Sequence, residues 1–206
     1  MNILLIHGQG RTTNAMRILG FRLHARGYQV RYFRYYTRWE RFAQIAMRLV
    51  EAIKTFPRDE PYALIGHSMG GLLARAALPS LTDHTPSHLI LLASPSRPPQ
   101  LAAAMRDNPI YKYLTFDCGQ QVGNADFYTN LPRPVIPTTI IAGTGGPRGN
   151  WFPLGQEAND SVLTVQETRV AEHDVILVPA LHTFIMNSRQ TFDHIDQILR
   201  QYDISS

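Results

Sequence analysis

Ser68 is the residue in this chain best placed to do chemistry. It stands in Tyr62-Ala63-Leu64-Ile65-Gly66-His67-Ser68-Met69-Gly70-Gly71-Leu72-Leu73-Ala74-Arg75, with one glycine two positions before it and another two positions after. An apolar run enters Gly66 and a helical pattern leaves Gly71, so the segment reads as a buried strand, an abrupt turn and a helix, with the serine at the apex. This is the pattern of a nucleophile elbow. A turn that tight strains the serine backbone and leaves no room for side chains at the two flanking positions, which accounts for the glycines. The hydroxyl is pushed out at the carboxyl end of the strand, over the N-terminus of the next helix, where the helix dipole favours a developing anion. The bare five-residue pattern also fits a serine in an ordinary strand-to-helix loop. The apolar strand, Gly71 and the apolar helix opening argue for the nucleophile.

A serine hydroxyl needs a base, commonly a histidine oriented by a carboxylate, and the surrounding elements decide which residues can serve. Residues 2–6 are a short apolar run, a strand buried on both faces, stopped by the turn His7-Gly8-Gln9-Gly10. Thr12 or Thr13 can cap a helix with Ala15, Ile18, Leu19 and Leu23 at helical spacing. Residues 28–33 alternate like a second strand, and Phe42, Ile45, Ala46, Leu49, Val50 and Ile53 share one face of a helix ending before Pro57. After the elbow come strands over 89–92, 138–142 and 175–178 and a closing helix over 188–201. Residues 97–135 interrupt this rhythm with Pro98, Pro99, a short alanine-rich helix and Leu131-Pro132-Arg133-Pro134. The alternation predicts an α/β fold: a mostly parallel sheet of about six strands, helices on both faces, one domain over 1–206, and 97–135 as a cap or irregular insertion. In such a sheet the active site lies at the carboxyl ends of the strands.

That rule sorts the eight histidines. His7 and His67 sit beside glycine turns. His24, His84 and His194 fall on helices or an exposed loop. His88 and His173 precede strands, at the wrong edge. Only His182 follows the last strand, through Pro179-Ala180-Leu181, and it comes after the serine in chain order. The orienting acid should lie between them and after a strand, which points to Asp160, with Glu157 as the rival three residues away. Asp174 and Glu172 precede the last strand, and Asp126 lies in the insertion. For the oxyanion of a tetrahedral intermediate, the donors indicated are the amide of Met69, directly after the nucleophile, and the amide of Gln9 in the first glycine loop. That loop lacks the full G-x-G-x-x-G dinucleotide pattern, because position 13 is threonine.

Composition narrows the classes further. The chain has 206 residues, 44% of them hydrophobic, enough for a substantial core. A net charge of +4, almost all from arginine, is mildly basic and demands no anionic partner. Cys118 is the single cysteine, so no internal disulfide can form, and no Cys/His cluster suggests a metal. No signal-peptide pattern and no membrane-spanning run is present, so the expectation is a cytoplasmic protein without cofactor or metal.

Leu5-Ile6-His7-Gly8-Gln9-Gly10, Ile65-Gly66-His67-Ser68-Met69-Gly70-Gly71, Ala142-Gly143-Thr144, Asn159-Asp160-Ser161-Val162-Leu163-Thr164-Val165 and Leu181-His182-Thr183-Phe184 together resemble the small bacterial lipase- or esterase-like α/β-hydrolases. The resemblance runs through nearly the whole chain in matching order. It implies a serine esterase fold with Ser68, Asp160 and His182 as triad and does not identify the substrate; the activity expected is hydrolysis of a small-molecule ester with an apolar portion. Two departures stand out: Ser161, where relatives often carry glycine, and the missing leading hairpin strands, which imply a minimal version. A thioesterase, amidase or acyltransferase would use the same triad, and a silent binding protein would keep the same fold.

Two further stretches have dual readings. Arg31-Tyr32-Phe33-Arg34-Tyr35-Tyr36-Thr37-Arg38-Trp39-Glu40-Arg41-Phe42 could serve a lipid surface, an acyl-pocket rim or nucleic acid. The reading favoured is a strand and helix start with buried aromatics and solvated arginines; no nucleic-acid partner is expected, and nothing specific supports membrane contact. Met105, Ile110, Tyr111, Tyr113, Leu114, Phe116 and Phe127 could line an apolar pocket, and Trp151 and Phe152 its lip.

Overall fold

The structure, a computed structural model, describes residues 1–170 and 173–203. Strand β1 (Asn2–Ile6) leads through a 3₁₀ turn to α1 (Arg17–His24), then β2 (Gln29–Phe33), α2 (Phe42–Lys54), β3 (Tyr62–His67), α3 (Met69–Ala77) and β4 (His88–Leu92). Three helices follow, α4 (Gln100–Met105), α5 (Pro109–Val122) and α6 (Ala125–Asn130), before β5 (Thr138–Gly143), α7 (Val165–Thr168), β6 (Val175–Val178) and α8 (Arg189–Asp203).

The strands form one sheet in the order β2-β1-β3-β4-β5-β6, and every pairing is parallel. The register sets Leu5 beside Ile65 and Ile65 beside Ile90, so like apolar residues stack across the sheet. Alternate strand residues feed two separate apolar clusters. Leu4, Ile6, Leu64, Leu91 and Ile140 face α2 and α3 through Ile45, Leu49, Leu72 and Leu73. Ile3, Leu5, Ile65, Ile90 and Ile141 face α1 and α8 through Leu19, Leu23, Ile195 and Leu199. Burial on both faces explains why these strands read as unbroken apolar runs rather than alternating ones.

Two local expectations change, on the face of α1 and in the segment 97–135, and one choice, between Thr12 and Thr13, is resolved. The buried face of α1 is Leu19, Gly20 and Leu23, continuing from Met16, while Ile18 is exposed. The helix entry is capped by Thr12, whose hydroxyl accepts from the Asn14 amide. The segment 97–135 holds three helices rather than one. Asn108 caps α5, accepting from the Ile110 and Tyr111 amides, with Pro109 in the first turn; Asn124 caps α6. Within α5 Phe116 adopts φ 51°, ψ −150° and kinks the helix. Among the described residues, no helix is long and apolar enough to cross a membrane.

Candidate active site

The order of the strands reverses at β1, which sends the chain to β2 on one side and β3 on the other. The carboxyl ends at that switch point are where a parallel sheet leaves a crevice, and Ser68 stands there at the end of β3. Its backbone adopts φ 52°, ψ −121°, a left-handed region that costs a non-glycine residue roughly 1–3 kcal/mol. Neighbouring elements hold it there: its amide donates to the Leu92 carbonyl at 2.9 Å, and its carbonyl accepts from the Gly71 amide at 3.0 Å. The flanking glycines answer to close backbone approach. A Cβ at Gly66 would lie 2.5 Å from the Gly71 nitrogen, and one at Gly70 would lie 2.3 Å from the Ile6 carbonyl oxygen. α3 therefore lies directly on β3 and β1, with its N-terminus under the serine.

His182, four residues past the end of β6, brings Nε2 to 3.1 Å from Ser68 Oγ. Its Nδ1 lies 2.7 Å from Asp160 Oδ2. A carboxylate only accepts, so Nδ1 carries the proton toward Asp160 and Nε2 offers its lone pair to the serine hydroxyl. Asp160 is fixed in turn. Its Oδ1 accepts from the Val162 amide at 2.9 Å and the Leu163 amide at 2.7 Å, and its own amide donates to the Leu163 carbonyl at 3.0 Å. Its carbonyl accepts from the His182 amide at 2.8 Å, which ties the two loops together. Asp160 is 1% exposed and His182 8%.

The rival acids lie elsewhere. Glu157, Asp126 and Asp174 are exposed, and Glu172 lies outside the described residues. The other histidines keep away from the serine hydroxyl. His88 is buried at the start of β4, bonded to the Thr139 hydroxyl, and burial pulls its pKa down to about 4. His84 is half-buried against the Tyr62 ring rather than solvated.

Two histidines that the sequence reading set aside turn out to shape the site. The His67 ring stands 5.0 Å from that of His182, and its Nε2 donates to the His182 carbonyl at 2.9 Å. Complete burial, and next the neighbouring His182, hold its pKa well below the usual histidine value, so it stays neutral. His7 stacks on Tyr35 at 4.0 Å with the rings 4° apart, and the Tyr35 hydroxyl donates to the His7 carbonyl. Burial lowers the His7 pKa as well. These contacts anchor the start of the first glycine loop. Gln9 from that loop lines the same pocket as Ser68, while Met69 is buried at the first position of α3. Neither backbone amide donates to a protein acceptor among the described residues. The signal for His67 was a polar side chain at the end of an otherwise apolar strand.

The pocket over Ser68 measures about 390 Å³. Its sheet side is Gln9, Arg11, Thr37 and His182, and its cover includes Tyr111, Leu114 and Thr115 of α5. Of the seven apolar residues named for such a pocket, only Tyr111 and Leu114 line it. Met105, Ile110 and Tyr113 are exposed; Phe127 packs edge-on against Phe42, and Phe116 lies under the Arg38 guanidinium. Trp151, 75% exposed, packs edge-on against Phe152, and neither lines the pocket. In the arginine-aromatic stretch Phe33, Tyr35 and Phe42 are buried and the arginines exposed, while Tyr36 and Trp39 stay exposed. Larger cavities lie elsewhere, among them one against α1 and β2 and one around Arg75.

A family model described as "Thioesterase domain" matches residues 5–109. No curated protein matches the chain. Among solved structures, the mature lipase BlEst2 of Bacillus licheniformis is 19% identical, with 96% of this chain and 91% of that one covered and a TM-score of 0.71. The esterase EaEST of Exiguobacterium antarcticum is 14% identical over 97% and 92%, with a TM-score of 0.67. The RedJ thioesterase of the prodiginine pathway in Streptomyces coelicolor is 18% identical over 96% and 84%, with a TM-score of 0.60. At these identities the likeness is one of fold.

Proposed function

This chain belongs to the thioesterase-domain family and has the α/β-hydrolase fold, and from that premise we propose that it is a serine hydrolase cleaving carboxylic esters with an apolar acyl or alcohol part. The observation that carries this reading is the unbroken relay Asp160 Oδ2 to His182 Nδ1 at 2.7 Å and His182 Nε2 to Ser68 Oγ at 3.1 Å. His182 accepts the Ser68 proton as Oγ bonds to the ester carbonyl carbon. Asp160 holds the tautomer and supports the positive charge on the ring. The oxyanion forms against the amides of Gln9 and Met69. Collapse breaks the bond to the alcohol oxygen, which takes the proton from His182 and leaves an acyl-Ser68. Water then attacks the acyl carbon, giving its proton to His182, and the free acid departs as Ser68 Oγ is reprotonated.

A thioester is the second reading, favoured by the family model itself, and it uses the same steps with a thiol as leaving group. The segment 97–135 acts as the cover selecting the acyl chain, within one domain over 1–206. Cys118 is buried, and burial with the nearby Asp117 charge pushes its thiol up to about 12, so the only sulfhydryl is inert and takes no part in the proposed chemistry. The test is a pair of p-nitrophenyl esters and matched thioesters, with Ser68→Ala and fluorophosphonate labelling as controls. Labelling of the wild type at Ser68, with turnover lost in the variant, is the expected result. A wild type that fails to label and turns over neither substrate would sink the proposal.

A further inference from the structure

Arg75 lies on α3 two turns beyond Ser68, about 10 Å along the axis at roughly 1.5 Å per residue. Its neighbours are Leu72, Leu73, Ala74, Ala76 and Ala77, so a guanidinium is out of keeping with the helix. It is 3% exposed. Its Nε donates to the Pro132 carbonyl at 3.1 Å, but its Nη1 is buried and meets no acceptor among the described residues. Burial, and the nearby Arg133 charge, pull its pKa down to about 10 against the opposing influence of Tyr128, which leaves it cationic at neutral pH. Charged groups this buried are ordinarily paired or coordinated.

Arg75 lines a cavity of about 800 Å³ that shares no lining residue with the pocket over Ser68. Arg97, Arg133 and Arg169 stand around it, all exposed, and none of the four arginines makes an ion pair among the described residues. The Tyr128 hydroxyl is a further buried polar atom in this wall without a partner. Among the described residues, no aspartate or glutamate contributes to the lining. The adjacent Glu167 is buried, and its carboxylate is occupied by the Gln100 amide at 2.6 Å and the Thr164 amide at 2.7 Å.

We propose that this pocket binds the phosphate group of a small soluble molecule, with Arg75 Nη1 and the Tyr128 hydroxyl at its base and Arg97, Arg133 and Arg169 around it. Four guanidinium groups, with no carboxylate among the described lining residues, match a multiply charged anion, and their planar donor forks match phosphate oxygens. The cavity is large enough to take more than an inorganic ion.

Titration calorimetry of the full chain with inorganic pyrophosphate at physiological salt tests this. The wild type is expected to bind saturably at one site per chain. The triple variant Arg97→Ala, Arg133→Ala, Arg169→Ala should bind at least about tenfold more weakly while keeping the wild-type circular dichroism spectrum. Arg75→Lys, which keeps a charge and loses the fork, should also weaken binding; if that buried change prevents folding, the triple variant decides alone. Equal affinity in the wild type and the triple variant overturns the proposal, as does no saturable binding up to about 10 mM. Citrate binding as tightly as pyrophosphate would overturn the phosphate assignment. Sedimentation with phosphatidic acid vesicles in the absence of pyrophosphate binding would overturn the soluble source.

Discussion

On one side of the pocket, Asp160 is 1% exposed with both carboxylate oxygens engaged, and the loop that carries it is bonded to the loop that carries His182. On the other side, α5 leaves Leu114 65% exposed, is kinked at Phe116, and touches the first glycine loop through a 3.4 Å contact from Gln9 Nε2 to the Thr115 carbonyl. The first side is assembled from the ends of β3, β5 and β6, whose positions the sheet dictates. The second rests on the sheet without belonging to it. On the proposed function, the core places the reacting atoms, while a thin cover judges the substrate's shape. Changes on the sheet side should therefore act on kcat, and changes on the cover should act on selectivity.

The largest effect expected is that of Ser68→Ala, a loss of about 10⁵-fold or more in kcat on a p-nitrophenyl ester with little change in melting temperature. Asp160→Asn should follow with a loss of about 10⁴-fold, because an amide facing Nδ1 favours the wrong tautomer. Glu157→Gln should stay within about twofold on the same assay, since an exposed acid away from the relay has nothing to orient; a larger drop would transfer the acid's role to Glu157.

Acid should loosen the sheet side before the cover, because residues 97–135 contain no histidine while His7, His67 and His88 are buried in or beside the sheet. The unfolded chain protonates these rings near pH 6.5, whereas folded His88 resists to about 4. Between those values the unfolded state binds more protons, so stability falls as pH falls, by about 3 kcal/mol for His88 below pH 4. His88→Asn should flatten the decline in melting temperature from pH 6.5 to 4; an unchanged slope would remove His88 from this account. Tyr111→Ala, on the cover, should change the ratio of long-chain to short-chain kcat/KM by about tenfold while leaving kcat on the acetyl ester within a factor of about two. The smallest effect concerns Ser161, held at φ 83°. Ser161→Gly should raise stability by about 0.5 kcal/mol, because relief of left-handed strain outweighs the added freedom of the unfolded chain; urea melts would show it.

The sheet side was also the legible side. Ser68 announces itself through Gly66 and Gly70, and His182 and Asp160 follow from which strand ends precede them. These are local patterns combined with one rule about parallel sheets, and they lead to residues that the structure brings within hydrogen-bonding distance of one another. The cover was opaque for a physical reason. α4 and α6 are only six residues each, and α5 mixes exposed and lining apolar residues around a kink, so no clean helical stripe appears. Which aromatics face the pocket depends on that kink, and nothing in the spacing of Tyr111, Tyr113 and Phe116 records it. The bond from His67 to the His182 carbonyl was hidden because it joins the end of β3 to the loop after β6, far apart in the sequence. Arg75 went unremarked in the sequence, although a charge inside the most apolar stretch of α3 was the available signal.

The separation of 114 residues between Ser68 and His182 has a consequence for the newborn chain. A ribosome adding about 5–20 residues each second releases the hydroxyl on the order of 6 to 23 s before its imidazole partner. Throughout that interval the emerging polypeptide carries a poised but powerless serine. On the proposed mechanism, acyl transfer begins only once β6 has taken its place at the sheet's edge and His182 has followed it.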